Sequence, residues 1–103
     1  MKISTILARA AIFSALASNL PAQDPVLTTP GTATWTTETT ATGTRTVFNM
    51  TNNTVLDWEQ LNLKSGSEMV FNFTGGKTVV NFLGGTGTHL IDGSVTSNGI
   101  VAF

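Results

Sequence analysis

The chain has no cysteine and no tyrosine, a single histidine, three prolines and only 11% charged residues in a length of 103. Without cysteine there are no disulfide staples, no thiolate metal sites and no cysteine nucleophile. The formal net charge of −1 supplies no basic field to attract nucleic acid non-specifically. The length bounds one small domain. No apolar run approaches the roughly 20 residues needed to span a bilayer. What the chain does have is 19 threonines and ten glycines, with 41% hydrophobic residues. That hydrophobic share argues against a solvated, disordered chain. The mixture suits β-structure with polar, uncharged turns, and by itself names no function.

The first residues read as an address. Met1-Lys2 and Arg9 give a basic start, Ala10 to Ala17 is apolar except for Ser14, and Asn19-Leu20-Pro21-Ala22 is a polar, helix-breaking stretch ending in a small residue. This is the pattern of a secretory signal peptide over residues 1–22, cleaved after Ala22 or, by the Ala15-Leu16-Ala17 match, after Ala17. Cleavage after Ala22 leaves three bases, Arg45, Lys64 and Lys77, against six acids, a net charge of −3. About 80 residues remain, a size at which a lone core is marginal without disulfides or partners.

Residues 23–45 form a threonine-rich region, with 11 threonines between Thr28 and Thr46. The period-two alternation around Trp35 suits a strand with Ala33 and Trp35 on one face. A polar linker fits the same composition, so the region reads as an N-terminal cap or linker. From residue 46 to 103 the chain becomes a series of short strands. These are Thr46–Phe48, Val55–Trp58, Leu61–Leu63, Met69–Phe73, Thr78–Leu83, His89–Ile91, Ser94–Thr96 and Gly99–Phe103. Met69, Phe71 and Phe73 share one face, with Val70 on the other. Every connector carries Gly or Asn, which enter left-handed backbone regions at little cost. The fold class is all-β.

Short strands between such turns fit a small sandwich or barrel, or a parallel β-helix. Spacing leans toward the β-helix: Asp57-Trp58 recurs as Asn81-Phe82, and Met69–Phe71 as Ser94–Thr96, a period in the low-to-mid twenties.

From Val55 to Phe73 the text VLDWEQLNLKSGSEMVFNF resembles a signature of the N-terminal two-partner-secretion domain of filamentous haemagglutinin-like exoproteins. Asp57, Trp58, Leu61-Asn62-Leu63, Gly66, Val70 and Phe71 fall on its positions. A second block, Ile91 to Phe103, matches at Gly93, Asn98, Gly99 and Val101. Between them Asn81 is kept, while Phe82 stands where that family has Arg. The Gln-Pro usual after the first block is Thr74-Gly75 here, and the Asn-Pro-Asn-Gly motif that follows the second block is not reached. The expectation is a truncated or short member. The resemblance implies a right-handed parallel β-helix of few rungs with an N-terminal cap. It implies a non-enzymatic adhesin module, secreted or at the cell surface by way of the periplasm of a Gram-negative-type bacterium. Its partner would be the periplasmic receptor domains of an outer-membrane pore, with passage through membranes only transient. The expected family-motif residues are Asp57, Trp58, Asn62, Gly66, Asn81, Gly93, Asn98 and Gly99. Trp58, Phe71, Val80 and Ile100 are expected to stack inward. Asn62, Asn81 and Asn98 would satisfy backbone groups at buried corners, and Gly66, Gly93 and Gly99 would permit sharp corners.

Chemistry of other kinds finds little purchase. Gly75-Gly76-Lys77-Thr78 ends like a phosphate loop, but Phe71 stands where its first Gly is required and a strand follows. Gly85-Thr86-Gly87 lacks the third Gly of a dinucleotide fingerprint. His89 is expected at a surface or turn. A triad of Ser94, His89 and Asp92 has no nucleophile elbow, and Asp57 with Glu59, two apart on one strand face, makes at best an isolated acidic pair. No cofactor, metal or nucleic-acid partner is expected. The alternative function is a free-standing secreted protein that grips a glycan or another surface through its threonines.

Overall fold

The computed structural model describes residues 24–103, so the signal-peptide reading of residues 1–22 lies outside the described residues. Ten strands follow in order: β1 Val26–Leu27, β2 Ala33–Thr39, β3 Thr44–Met50, β4 Thr54–Trp58, β5 Asn62–Leu63, β6 Glu68–Phe73, β7 Thr78–Leu83, β8 Leu90–Ile91, β9 Ser94–Ser97 and β10 Ile100–Ala102. Among the described residues there is no helix. Alternation explains the strands. In β6, Met69, Phe71 and Phe73 are buried while Glu68, Val70 and Asn72 turn outward; in β4, Thr54, Leu56 and Trp58 are buried and Val55 and Asp57 turn out. These strands therefore present an apolar face to one interior.

The strands assemble into three sheets with the orders β2-β3-β6-β9, β1-β4-β7-β10 and β5-β8. From β3 onward every third strand joins the same sheet, and each such pair is parallel. The chain thus visits the three sheets in turn and returns to each after one circuit. Arg45 pairs with Glu68, 23 residues on, and Asn62 with Leu90, 28 residues on. The first two strands break this rule. β2 runs antiparallel to β3 over seven residue pairs, and β1 antiparallel to β4 over two. They cover one edge of each four-stranded sheet. The threonine-rich region is therefore strand rather than linker through β2, and the boundary drawn at 45/46 falls inside β3.

The interior is lined by Phe48, Met50, Leu56, Trp58, Leu61, Leu63, Met69, Phe71, Phe73 and Val79, with Ala33 and Trp35 contributed by β2. Phe48 stacks on its register partner Phe71 with ring centroids 4.8 Å apart, and Trp35 lies 5.2 Å from Phe48 on the other side. Trp58 meets Phe48 edge-on. This aromatic column runs from the antiparallel cap strand into the second circuit. Such offset and edge contacts add about 0.5–1.5 kcal/mol per pair beyond the area they bury.

Two expectations about register and facing are corrected. The pairs are Leu56 with Asn81 and Asp57 with Phe82, and Met69 with Val95. The expected recurrences were each one residue off. A slip of one would exchange the two faces of a strand and drive Asp57 or Glu68 inward. The same phase places Val79, not Val80, in the core, and leaves Ile100 exposed at 61%, with Val101 packed against the core instead. Trp58 and Phe71 do face inward as expected. The outer face of the β1-β4-β7-β10 sheet consequently carries Val26, Phe82 and Ile100 in the open.

Truncating Phe71 removes the ring that Phe48 stacks upon, so Phe71→Ala is expected to cost about 3–5 kcal/mol of unfolding free energy. Phe82→Ala, on the exposed face, should stay within about 1 kcal/mol of the parent. Urea or guanidinium midpoints of the two variants check this difference.

Candidate functional site

The connections between strands stack at three corners. At the first, residues 51–53, 74–77 and 98–99 lie over one another. Thr74 N donates to Met50 O, Asn53 Oδ1 accepts from both Lys77 N and Thr78 N, and Ile100 N donates to Lys77 O. The resemblance of Gly75–Thr78 to a phosphate loop dissolves here: its amides at 77 and 78 are taken by Asn53, and the strand β7 follows at once. At the second corner, residues 84–89 fold over residues 59–61. At the third, residues 42–43, 64–67 and 92–93 stack, with Thr42 Oγ1 donating to Gly66 O and Gly93 N to Leu63 O.

The eight motif residues are spread over the corners, the core and other strand positions, and do not converge on one pocket. Asp57 is exposed on the outer face of β4, and Trp58 beside it is buried at 3% exposure. Asn81 is buried at 1% and lies within β7, not at a corner; its Oδ1 accepts from Trp58 Nε1 at 2.9 Å and its Nδ2 donates to Ala102 O at 3.1 Å. Asn62 is half-buried within the two-residue strand β5, again not at a corner. Asn98 is at a corner but exposed. Its Oδ1 accepts from Phe73 N at 2.7 Å and its Nδ2 donates to Phe73 O at 2.9 Å, so its amide imitates the next backbone unit of a strand. The expectation of buried corner asparagines is therefore corrected: the buried amide sits inside a strand, and the corner amide faces water.

The glycines serve the corners by two routes. Gly66 has φ +89°, and an added Cβ would collide with Thr42 O. Gly93 and Gly99 have no positive φ, but an added Cβ would meet the carbonyls of Ser67 and Lys77. Close approach of stacked backbones, rather than unusual dihedrals, requires glycine at those two.

His89 is half-buried and fully engaged. Its Nδ1 accepts from Leu61 N at 3.0 Å, which puts the ring proton on Nε2, and Nε2 in turn donates to Gly84 O at 2.8 Å. Both nitrogens brace the second corner, so neither is aimed at Ser94 or Asp92. Glu59 lies beyond the end of β4, which corrects its placement on one strand face with Asp57. Its Oε2 accepts from Thr86 N and Thr86 Oγ1. Among the described residues no group of three His, Asp or Glu side chains gathers to hold a metal ion.

One shallow groove of about 430 Å³ lies on the outer face of β3, β6 and β9, lined by Arg45, Val47, Val70, Phe71, Asn72, Thr96, Ser97 and Asn98. Arg45 sits between Glu38 at 3.6 Å and Glu68 at 3.4 Å, so its charge is already answered. Asn72 Nδ2 donates to Asn49 Oδ1 on the neighbouring strand. The lining joins apolar Val47 and Val70 to polar Asn72, Thr96, Ser97 and Asn98 and the ion-paired Arg45, a surface suited to contact and hydrogen bonding rather than to proton transfer.

Sequence reasoning missed Asn53, His89 as a brace, and Ser67, whose Oγ accepts from Thr44 N. Asn53 was signalled only by its place just ahead of a strand in an Asn-Asn pair.

The fold defines an all-β protein with parallel sheet segments, many of whose distinctive residues hold corners and core. Compared with family models, curated proteins and solved structures, the chain matches none.

Two substitutions separate the corner effects. Gly31 has φ +77° with open space around it, whereas Gly66 combines positive φ with the Thr42 contact. Gly31→Ala should cost about 1–2 kcal/mol and Gly66→Ala clearly more, read as thermal midpoints. His89→Ala should cost about 1–3 kcal/mol by leaving the partly buried Leu61 N–H and Gly84 carbonyl without partners, with faster exchange of the Leu61 amide as its local signature.

Proposed function

We propose that this chain is a secreted, non-enzymatic module: the N-terminal secretion and folding-nucleation segment of a filamentous haemagglutinin-like exoprotein, built as a right-handed parallel β-helix. The observation that carries the reading is the order of the sheets. Strands one circuit apart pair in parallel, and antiparallel strands β1 and β2 cover one edge of the two larger sheets. That arrangement suits a cap from which circuits grow in one direction. The signal-like residues 1–22 and the two motif blocks support the same reading.

In this reading the signal peptide takes the unfolded chain across the inner membrane. The segment behind it offers extended backbone to the periplasmic receptor domains of an outer-membrane pore, by strand addition. Once outside, β2 and β3 give β6 an edge, β6 gives β9 an edge, and each circuit templates the next. The module then resides at the cell surface or in the medium.

The test is export of a linked passenger in a strain carrying the cognate pore. Deleting residues 46–103 should abolish release of the passenger into the medium; release at the parental level would overturn the proposal. A second reading, a free-standing glycan- or surface-binding protein, is favoured by the groove over β3, β6 and β9. It predicts saturable binding of the mature domain in a glycan screen, lost on Asn72→Ala with Thr96→Ala, and the absence of any saturable ligand would remove it.

A further inference from the structure

We infer that Asn81 selects the register of the strand that docks beside β7, by reading the position of its backbone rather than the identity of its side chains. This inference rests on the folded geometry and is independent of the export pathway.

Asn81 is an amide enclosed among apolar side chains, at 1% exposure. Leaving one polar group of such an amide unpaired is costly, so both ends must be answered. The orientation of the amide is fixed from one side. The indole Nε1–H of Trp58 is a donor only, and it lies 2.9 Å from Asn81 Oδ1. The NH₂ group is thereby turned the other way, where it finds the Ala102 carbonyl at 3.1 Å. Trp58 belongs to β4 and Ala102 to β10, the two neighbours of β7 in its sheet. One side chain therefore fastens three consecutive strands.

The acceptor on β10 is a backbone carbonyl. Successive carbonyls along a strand point to opposite edges, so a slip of one residue carries the acceptor away and leaves Nδ2 unpaired in the core. The side chains of β10 do little to set its position. Ile100 is 61% exposed, Ala102 is small, and only Val101 packs against the core. A three-residue strand held in this way is located mainly by its backbone. The site accordingly accepts an extended segment with an inward β-branched residue at the Val101 position, whatever its outward residues.

Amide hydrogen exchange of the full chain tests this, read as the protection of residues 100–102 relative to that of β4 and β6 in the same sample. Asn81→Leu, close in volume and apolar, should raise exchange in β10 at least tenfold relative to β4 and β6. Trp58→Phe removes the donor that orients the amide without altering Asn81 or β10, and should raise relative exchange in β10 severalfold. It also decides the matter alone if Asn81→Leu does not fold. Exchange that rises uniformly across β4, β6 and β10 in the folded variants, or stays unchanged in β10, overturns the inference.

Discussion

Parallel register between strands one circuit apart is the constraint on which the rest of the structure depends. It places Phe48 over Phe71, brings Trp58 to Asn81, and stacks the first and third corners so closely that Gly66, Gly93 and Gly99 have no room for a side chain. A chain this small with no cysteine has few other sources of stability. Its core is a single cluster in which the aromatic contacts of Phe48 reach both β2 and β6. Losing register at one strand would break contacts in both directions.

The low charge of the chain follows from the same constraint. Strands in a sheet stand about 4.8 Å apart, so a charge repeated at one position in every circuit would face itself repeatedly. The single outward charged row avoids this by alternation: Glu38 pairs with Arg45, and Arg45 with Glu68, before neutral Ser94. These exposed pairs add little stability. Their contribution is to register: a slipped strand would set Arg45 opposite a neutral residue, Thr37, Thr39 or Met69, and lose the pair. Thr34 and Thr36 fill the other outward positions of β2 beside Glu38 with an uncharged, strand-compatible residue.

Much of the architecture was legible in the sequence. The all-β class, the strands from β3 to β10, the inward set Met69 with Phe71 and Phe73, and the strand after Lys77 all follow from alternation and turn chemistry, while for β2 the threonine-rich composition fitted a linker as well as a strand. The tiny strand β1 gave no pattern to see. The register was not legible to the residue, because circuits vary from the short Thr78–Ile100 to the longer Asn62–Leu90 and no single period exists. Nor was the facing of β7. In Thr78–Leu83 both phases contain apolar residues, Val79 with Leu83 in one and Val80 with Phe82 in the other. The inward phase is the one that carries a polar residue, Asn81, and only the partners of that amide make it the better choice. The distribution of the motif residues over core, corners and outer face needed coordinates.

Register is open to a direct chemical measurement, since the chain has no native cysteine to interfere. Val47, Val70 and Thr96 form one outward row across β3, β6 and β9. Cysteine pairs can be placed there two at a time and oxidised under mild conditions. A disulfide needs Cα atoms about 4.4–6.8 Å apart, which neighbouring strands provide and next-but-one strands, about 10 Å apart, do not. The account predicts that Val47→Cys with Val70→Cys, and Val70→Cys with Thr96→Cys, close readily, and that Val47→Cys with Thr96→Cys does not. Closure of the last pair within the monomer, or failure of the first two, would contradict it.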